Sequence, residues 1–197
     1  MRFLPPPARR ALYRGGHRSD RLRDPDGVVS ALGLRPGDRV ADLGPGYGHF
    51  TLRLAGAVRP DGLVYAADAS AATLEDLQQE AARRGIGNLR PVLISRSELA
   101  LPEPVDLLFV SATYHHLRDP VRYFREARPL LRPGGRVAIL ESRLEGPLAR
   151  WINPHGSSSR RLLAQMHEAG YVLVETHHVV AGHLFAVFTR AEPGPSQ

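Results

Sequence analysis

The sequence has no cysteine and no lysine; all 26 of its basic residues are arginine. Without a thiol there is no disulfide, no thiolate metal site, no iron–sulfur cluster and no cysteine nucleophile, a composition that suits an intracellular setting. Without lysine there is no Tyr-x-x-x-Lys pair of the kind nicotinamide-dependent oxidoreductases use. Long apolar runs are missing too, since no stretch approaches the ~18 consecutive apolar residues of a membrane span. The apolar start Phe3-Leu4 is cut off at once by Pro5, Pro6 and Pro7, so residues 1–23 hold no secretion-signal core. These absences predict a soluble, cytoplasmic protein.

With 197 residues and 43% hydrophobic content, the chain suffices for one domain with a proper core. The formal charge of +6 is unevenly spread. Residues 1–23 hold seven arginines against Asp20 alone, and the remaining basic and acidic residues balance. The organisation expected is a basic arm over 1–23, a folded domain over 24–190, and a poorly ordered tail over 191–197. A basic arm can dock on RNA, DNA, anionic lipid or an acidic partner; a solvated tail is the plainer alternative.

From residue 25 onward, β-like apolar runs alternate with amphipathic stretches. The strand candidates are 39–43, 63–67, 89–94, 106–111, 136–141, 171–177 and 184–189. Helix signals lie between them: 71–84 closed by Gly85, a helix entered at Asp119-Pro120 and running towards Leu131, and one that follows Ser157–Ser159 and closes at Gly170. This rhythm predicts an α/β fold, a parallel sheet with helices on both faces. Only 178–183 separates the last two strands, which should therefore pair antiparallel.

The most informative segment is Val40-Ala41-Asp42-Leu43-Gly44-Pro45-Gly46-Tyr47-Gly48-His49, a strand entering a glycine-rich turn and then a helix. Glycines let the backbone come close to a ligand. The dinucleotide fingerprint needs a glycine where this chain has His49, so G-x-G-x-G argues against a nicotinamide cofactor. Asp68 closes the second strand, where a carboxylate can accept from both hydroxyls of a ribose; capping the helix that starts at Ala71 is its alternative duty.

Residues 40–54, Asp68, the run 105–111 and Leu131-Arg132-Pro133-Gly134-Gly135-Arg136 together resemble successive motifs of class I S-adenosylmethionine-dependent methyltransferases. The similarity spans roughly residues 28–190 and is greatest to the small-molecule type related to the quinone-biosynthesis enzymes. It implies a Rossmann-like seven-stranded sheet with the last strand antiparallel, S-adenosylmethionine as cofactor and a small-molecule acceptor. It also implies roles: Gly44, Gly46 and Gly48 against the methionine and ribose, Asp42 beneath the turn, Asp68 on the ribose hydroxyls, and Ser111 at the end of the fourth strand. Many members carry an aspartate after the third strand for the adenine amine; here Ser95 and Arg96 stand there.

Ser111-Ala112-Thr113-Tyr114-His115-His116-Leu117 should emerge at the carboxyl edge of the sheet, where ligands of open α/β folds bind. Methyl transfer needs alignment, and a base only if the acceptor must lose a proton. His115 is the candidate base, with His116 expected to bond locally to backbone and Tyr114 to stack on the acceptor or close over the methyl donor; shaping the loop is the alternative for both histidines. His177, His178 and His183 lack clustered carboxylates, so no metal is expected. The segment 143–157, with Trp151 and Gly156, sits where acceptor-covering loops belong. An RNA or protein methyltransferase using the arm, and a cofactor-binding module without turnover, are the competing functions.

Overall fold

A computed structural model describes residues 24–142 and 158–192. The basic arm 1–23, the segment 143–157 with Trp151 and Gly156, and residues 193–197 lie outside the described residues. Seven strands form one sheet in the order β3-β2-β1-β4-β5-β7-β6: β1 (Arg39–Leu43), β2 (Leu63–Asp68), β3 (Leu89–Leu93), β4 (Val105–Ser111), β5 (Leu131–Ser142), β6 (Tyr171–His177) and β7 (His183–Arg190). The helices are α1 (Pro25–Ala31), α2 (Thr51–Ala57), α3 (Ala71–Arg83), α4 (Pro120–Ala127) and α5 (Ser159–Glu168). Strands β1 to β5 pair in parallel, while β7 runs antiparallel to both β5 and β6, as both the short connection and the resemblance predicted.

Alternation along the strands divides the core in two. Val40, Leu107, Phe109, Ala138 and Phe185 point to the face covered by α1 and α2, and Ala66 on that face meets Leu74 and Leu77 of α3. Ala41, Leu108, Val110, Ile139 and Ala186 point the other way, onto Phe124 of α4 and Leu162 and Met166 of α5. A period of two in a sheet buried on both faces demands this division.

Helix α4 ends sooner than its sequence suggested. Pro129 has no N–H to continue the ladder, so α4 stops at Ala127 and a 3-10 turn over Arg128–Leu130 leads straight into β5. Strand β5 begins at Leu131 and passes through an irregularity before Arg136 resumes pairing with Leu107. Residues 94–104 form the β3–β4 connection without a helix, long enough for a parallel crossover. They drop Leu99 onto the core.

Ionic contacts tie the amino edge of the sheet. Arg39 Nε donates to Glu103 Oε1 at 3.0 Å, Tyr65 Oη to the same oxygen at 2.7 Å, and Arg132 Nη1 to Asp106 Oδ2 at 2.9 Å. Asp106 Oδ2 also accepts the Arg39 backbone N–H at 2.7 Å.

Candidate functional site

The sheet order reverses between β1 and β4, and open α/β sheets bind ligands outside the carboxyl ends of the strands at such a switch point. There the chain leaves β1 through Gly44 (φ +71°), Gly46 (+53°) and Gly48 (+78°), all left-handed. A Cβ on Gly44 would meet the side chain of Thr113, whereas Gly46 faces open space. Both line a cavity of about 470 Å³. Gly48 differs from the role the resemblance gave it: a Cβ there would strike Leu77, so Gly48 admits α3 against the turn and is absent from the cavity wall. The Gly44 N–H donates to the Ala67 carbonyl at 2.8 Å, fixing the turn to the end of β2.

Asp42 lies beneath this turn, 2% exposed, and accepts from Thr51 Oγ1 at 2.6 Å. Burial pushes its carboxyl up to about 7, against the lowering effect of the Thr51 hydroxyl and with help from the Asp68 charge. Asp68 is half-buried on the cavity wall; Oδ1 accepts the Ser70 N–H at 2.8 Å. Ser70, not Asp68, caps α3, its hydroxyl accepting from Thr73. Burial raises the Asp68 carboxyl as well, opposed by backbone N–H groups and by Arg96.

Ile94, Ser95 and Arg96 form the next part of the wall. Ser95 Oγ lies 3.2 Å from Ser97 Oγ, so its hydroxyl is engaged within its own loop. Opposite stand Ala112, Thr113, His116 and Leu117. Ala112 takes φ +50°, a left-handed conformation uncommon for a residue with a Cβ. That turn swings the chain out of β4 and sets Thr113 against Gly44. The wall is made by Ala112 and Thr113 rather than by Ser111, whose carbonyl accepts the Thr113 hydroxyl at 3.0 Å.

Three residues of the 114–116 turn part company. Tyr114 is fully buried, stacked on Phe124 with its hydroxyl donating to Gln165 Oε1 at 3.0 Å, so it anchors α4 and α5 and faces no ligand space; this corrects the stacking and closing roles expected for it. His116, expected to turn to backbone, lines the cavity. Burial and the neighbouring His115 lower its pKa. His115 Nδ1 lies 2.9 Å from Glu141 Oε1. Sequence reasoning missed Glu141, although a lone carboxylate ending the apolar run Val137–Leu140 was the signal for it.

The distal histidines stay apart: His177 Nε2 lies 3.5 Å from Glu175 and His183 Nδ1 lies 3.0 Å from the Ala181 carbonyl. Among the described residues no group of three or more His, Asp or Glu is placed to hold a metal, and no helix is long and apolar enough to cross a membrane.

A family model described as a methyltransferase domain matches residues 34–181, which covers the turn, Asp68, the 112–117 loop and Glu141. The chain belongs to the class I S-adenosylmethionine-dependent methyltransferase family. The chain is 36% identical over 118 residues to an uncharacterised 37.1 kDa protein in transposon TN4556 of Streptomyces fradiae, a match covering 58% of this chain and 33% of the relative. It is 32% identical over 116 residues to the ubiquinone/menaquinone biosynthesis C-methyltransferase of Vibrio campbellii, covering 58% of this chain and 45% of that one. The chain thus spans less than half the length of these relatives. A crystal structure of a SAM dependent methyltransferase from Aquifex aeolicus shares its fold, with a TM-score of 0.79 at 24% identity over 94% of this chain and 97% of the other.

The residues present fit the family's cofactor. Gly46 leaves open space where a nucleoside with an amino-acid tail must approach backbone, and Asp68 offers carboxylate lone pairs beyond the bond to Ser70. A cavity of about 470 Å³ falls within the range of small-molecule sites.

Proposed function

We propose that the chain transfers a methyl group from S-adenosylmethionine to a small-molecule acceptor. The observation that carries this reading is the single cavity wall shared by Gly44, Gly46, Asp68 and the 112–117 loop at the switch point. The sulfonium of the cofactor supplies an electrophilic methyl carbon. Asp68 accepts from the ribose hydroxyls, Gly44 and Gly46 bring backbone to the amino-acid tail, and Asp42 holds the turn from below through Thr51. Ser95 and Arg96 stand at the adenine end. Ala112, Thr113, His116 and Leu117 exclude water from the far side, which favours a direct displacement whose main demand is alignment.

A small acceptor is supported by the charge balance of the body outside residues 1–23 and by the role of the Vibrio relative in ubiquinone/menaquinone biosynthesis. Calorimetric titration with S-adenosylmethionine and S-adenosylhomocysteine tests the cofactor half, with NADH as decoy. Saturable binding that is lost in Asp68→Ala is expected; a folded protein that binds neither ligand sinks the reading.

The seven arginines of 1–23 favour a second reading, an RNA acceptor held by phosphate contacts that weaken with salt. Deleting 1–23 separates the two. Methylation of small acceptors survives the deletion under the first reading, whereas salt-dependent RNA binding disappears under the second.

A further inference from the structure

Beside the cofactor cavity lies a second cavity of about 520 Å³, and the two share Arg96, Leu117 and Tyr123 in their walls. Arg118, Asp119 and Arg122 add to the second at the entry to α4. Three guanidiniums around one space repel one another, so the space favours an anion that offsets them.

The carboxylates nearby gather on Arg122. Glu126 Oε1 accepts from its Nε at 2.8 Å, Asp119 Oδ1 accepts its backbone N–H at 3.0 Å, and the Glu98 charge also acts on it. Arg96 and Arg118 make no hydrogen bond or ion pair among the described residues. Tyr123 is 4% exposed, and its hydroxyl is buried without a hydrogen-bond partner. Burial raises the pKa of that phenol, so it stays protonated and remains a donor. Two uncommitted guanidiniums and an uncommitted hydroxyl in one cavity wall suit an anion with several oxygens.

We propose that this cavity is a binding site for an organic phosphate monoester, separate from the methyl acceptor and occupied together with the cofactor. The phosphate, largely dianionic near neutral pH, accepts from Arg96, Arg118 and the remaining N–H groups of Arg122. A lone phosphate leaves much of the space unfilled, and Leu117 and Tyr123 give an organic body apolar surface to lie on. The site adjoins the cofactor cavity at Arg96, the side assigned above to the adenine and not to the methyl group.

Coupling to the cofactor rests on the methyltransferase reading above; the anion site itself does not. Arg96 lines both cavities, and its charge reaches Asp68: burial raises that carboxyl and Arg96 lowers it. S-adenosylmethionine carries a positive charge that S-adenosylhomocysteine lacks. A phosphate beside Arg96 therefore favours the methyl donor over its product.

The test is calorimetry on the full chain at low salt, with phenyl phosphate, inorganic phosphate and benzyl alcohol as probes. Phenyl phosphate should bind saturably and about 10-fold tighter than inorganic phosphate, benzyl alcohol should not bind, and added salt should weaken both anions. Arg96→Gln and Arg118→Gln should each weaken phenyl phosphate about 10-fold, and Tyr123→Phe about 3-fold. Arg35→Gln, the same loss of charge just ahead of β1 at the opposite edge of the sheet, should leave it unchanged. Arg118→Gln should keep wild-type affinity for S-adenosylhomocysteine.

Phenyl phosphate should still bind when S-adenosylhomocysteine is saturating, and it should tighten S-adenosylmethionine about twofold to fivefold relative to that product. A folded chain that does not bind phenyl phosphate, or one in which all three arginine variants weaken it alike, overturns the site. Inorganic phosphate that binds as tightly as phenyl phosphate overturns the organic class. Competition between phenyl phosphate and S-adenosylhomocysteine overturns the separate site, and an equal effect on donor and product overturns the coupling. If S-adenosylhomocysteine does not bind at all, it is the preceding reading that fails, and phenyl phosphate still decides the arginine cavity.

Discussion

Asp68 presents its carboxylate to the cavity with one oxygen bonded to Ser70, so alanine there removes the acceptors for a diol and leaves the Ser70 cap of α3 in place. S-adenosylhomocysteine affinity should drop about 100-fold, near 3 kcal/mol for two charge-assisted hydrogen bonds, by calorimetry. Gly46→Val should abolish binding, because the side chain enters the cavity from a backbone angle of +53° that valine resists. Asp42 gives a pH signature. Its folded carboxyl titrates at about 7 and its ordinary value is 3.8, so between those values the folded state holds a proton that the unfolded chain has released. Its contribution therefore falls as pH rises from about 4 to about 7, and Asp42→Asn should flatten that part of the profile in urea unfolding at pH 5 and pH 8. Gly44, Gly46 and Asp68 on the cavity wall, and Asp42 beneath the turn, could be singled out from the sequence because their signals are local: a strand end, a turn, a fixed spacing. Gly48 and Tyr114 were misplaced because spacing does not tell a residue that admits a helix from one that admits a ligand, and Glu141 became visible only when β4 and β5 lay side by side.

Strand and helix positions followed from period and punctuation. Strands β1 and β6 have the very limits read from the sequence, and Ser158 and Asp119 cap their helices through side chains that accept from Arg161 and Arg122. Asp119→Ala should destabilise the domain by about 1 kcal/mol in urea unfolding, the usual effect of losing such a cap. Where elements ran differently, a backbone constraint decided: Pro129 ended α4, and β5 takes up the chain from Leu131 through the glycine pair 134–135. The β3–β4 connection carries no helical periodicity, and it takes no helix in the fold.

For the whole molecule, a ligand that binds the folded state alone raises stability by mass action. At one hundred times its dissociation constant, S-adenosylhomocysteine should add about 2.7 kcal/mol, and Tm should rise by roughly 5–10 °C in a thermal scan. Asp68→Ala should remove the shift. The division of labour between the sheet's two edges has a consequence for how such a chain can change. Arg39, Tyr65, Glu103, Asp106 and Arg132 brace one edge and make no part of the cavity wall at the other. Random substitutions therefore sort by edge: those at the braced edge are selected through protein abundance in the cell, and those in the loops beyond β1, β2 and β4 through ligand binding. A lineage of such chains can exchange one acceptor for another by rewriting loops, with the frame inherited unaltered.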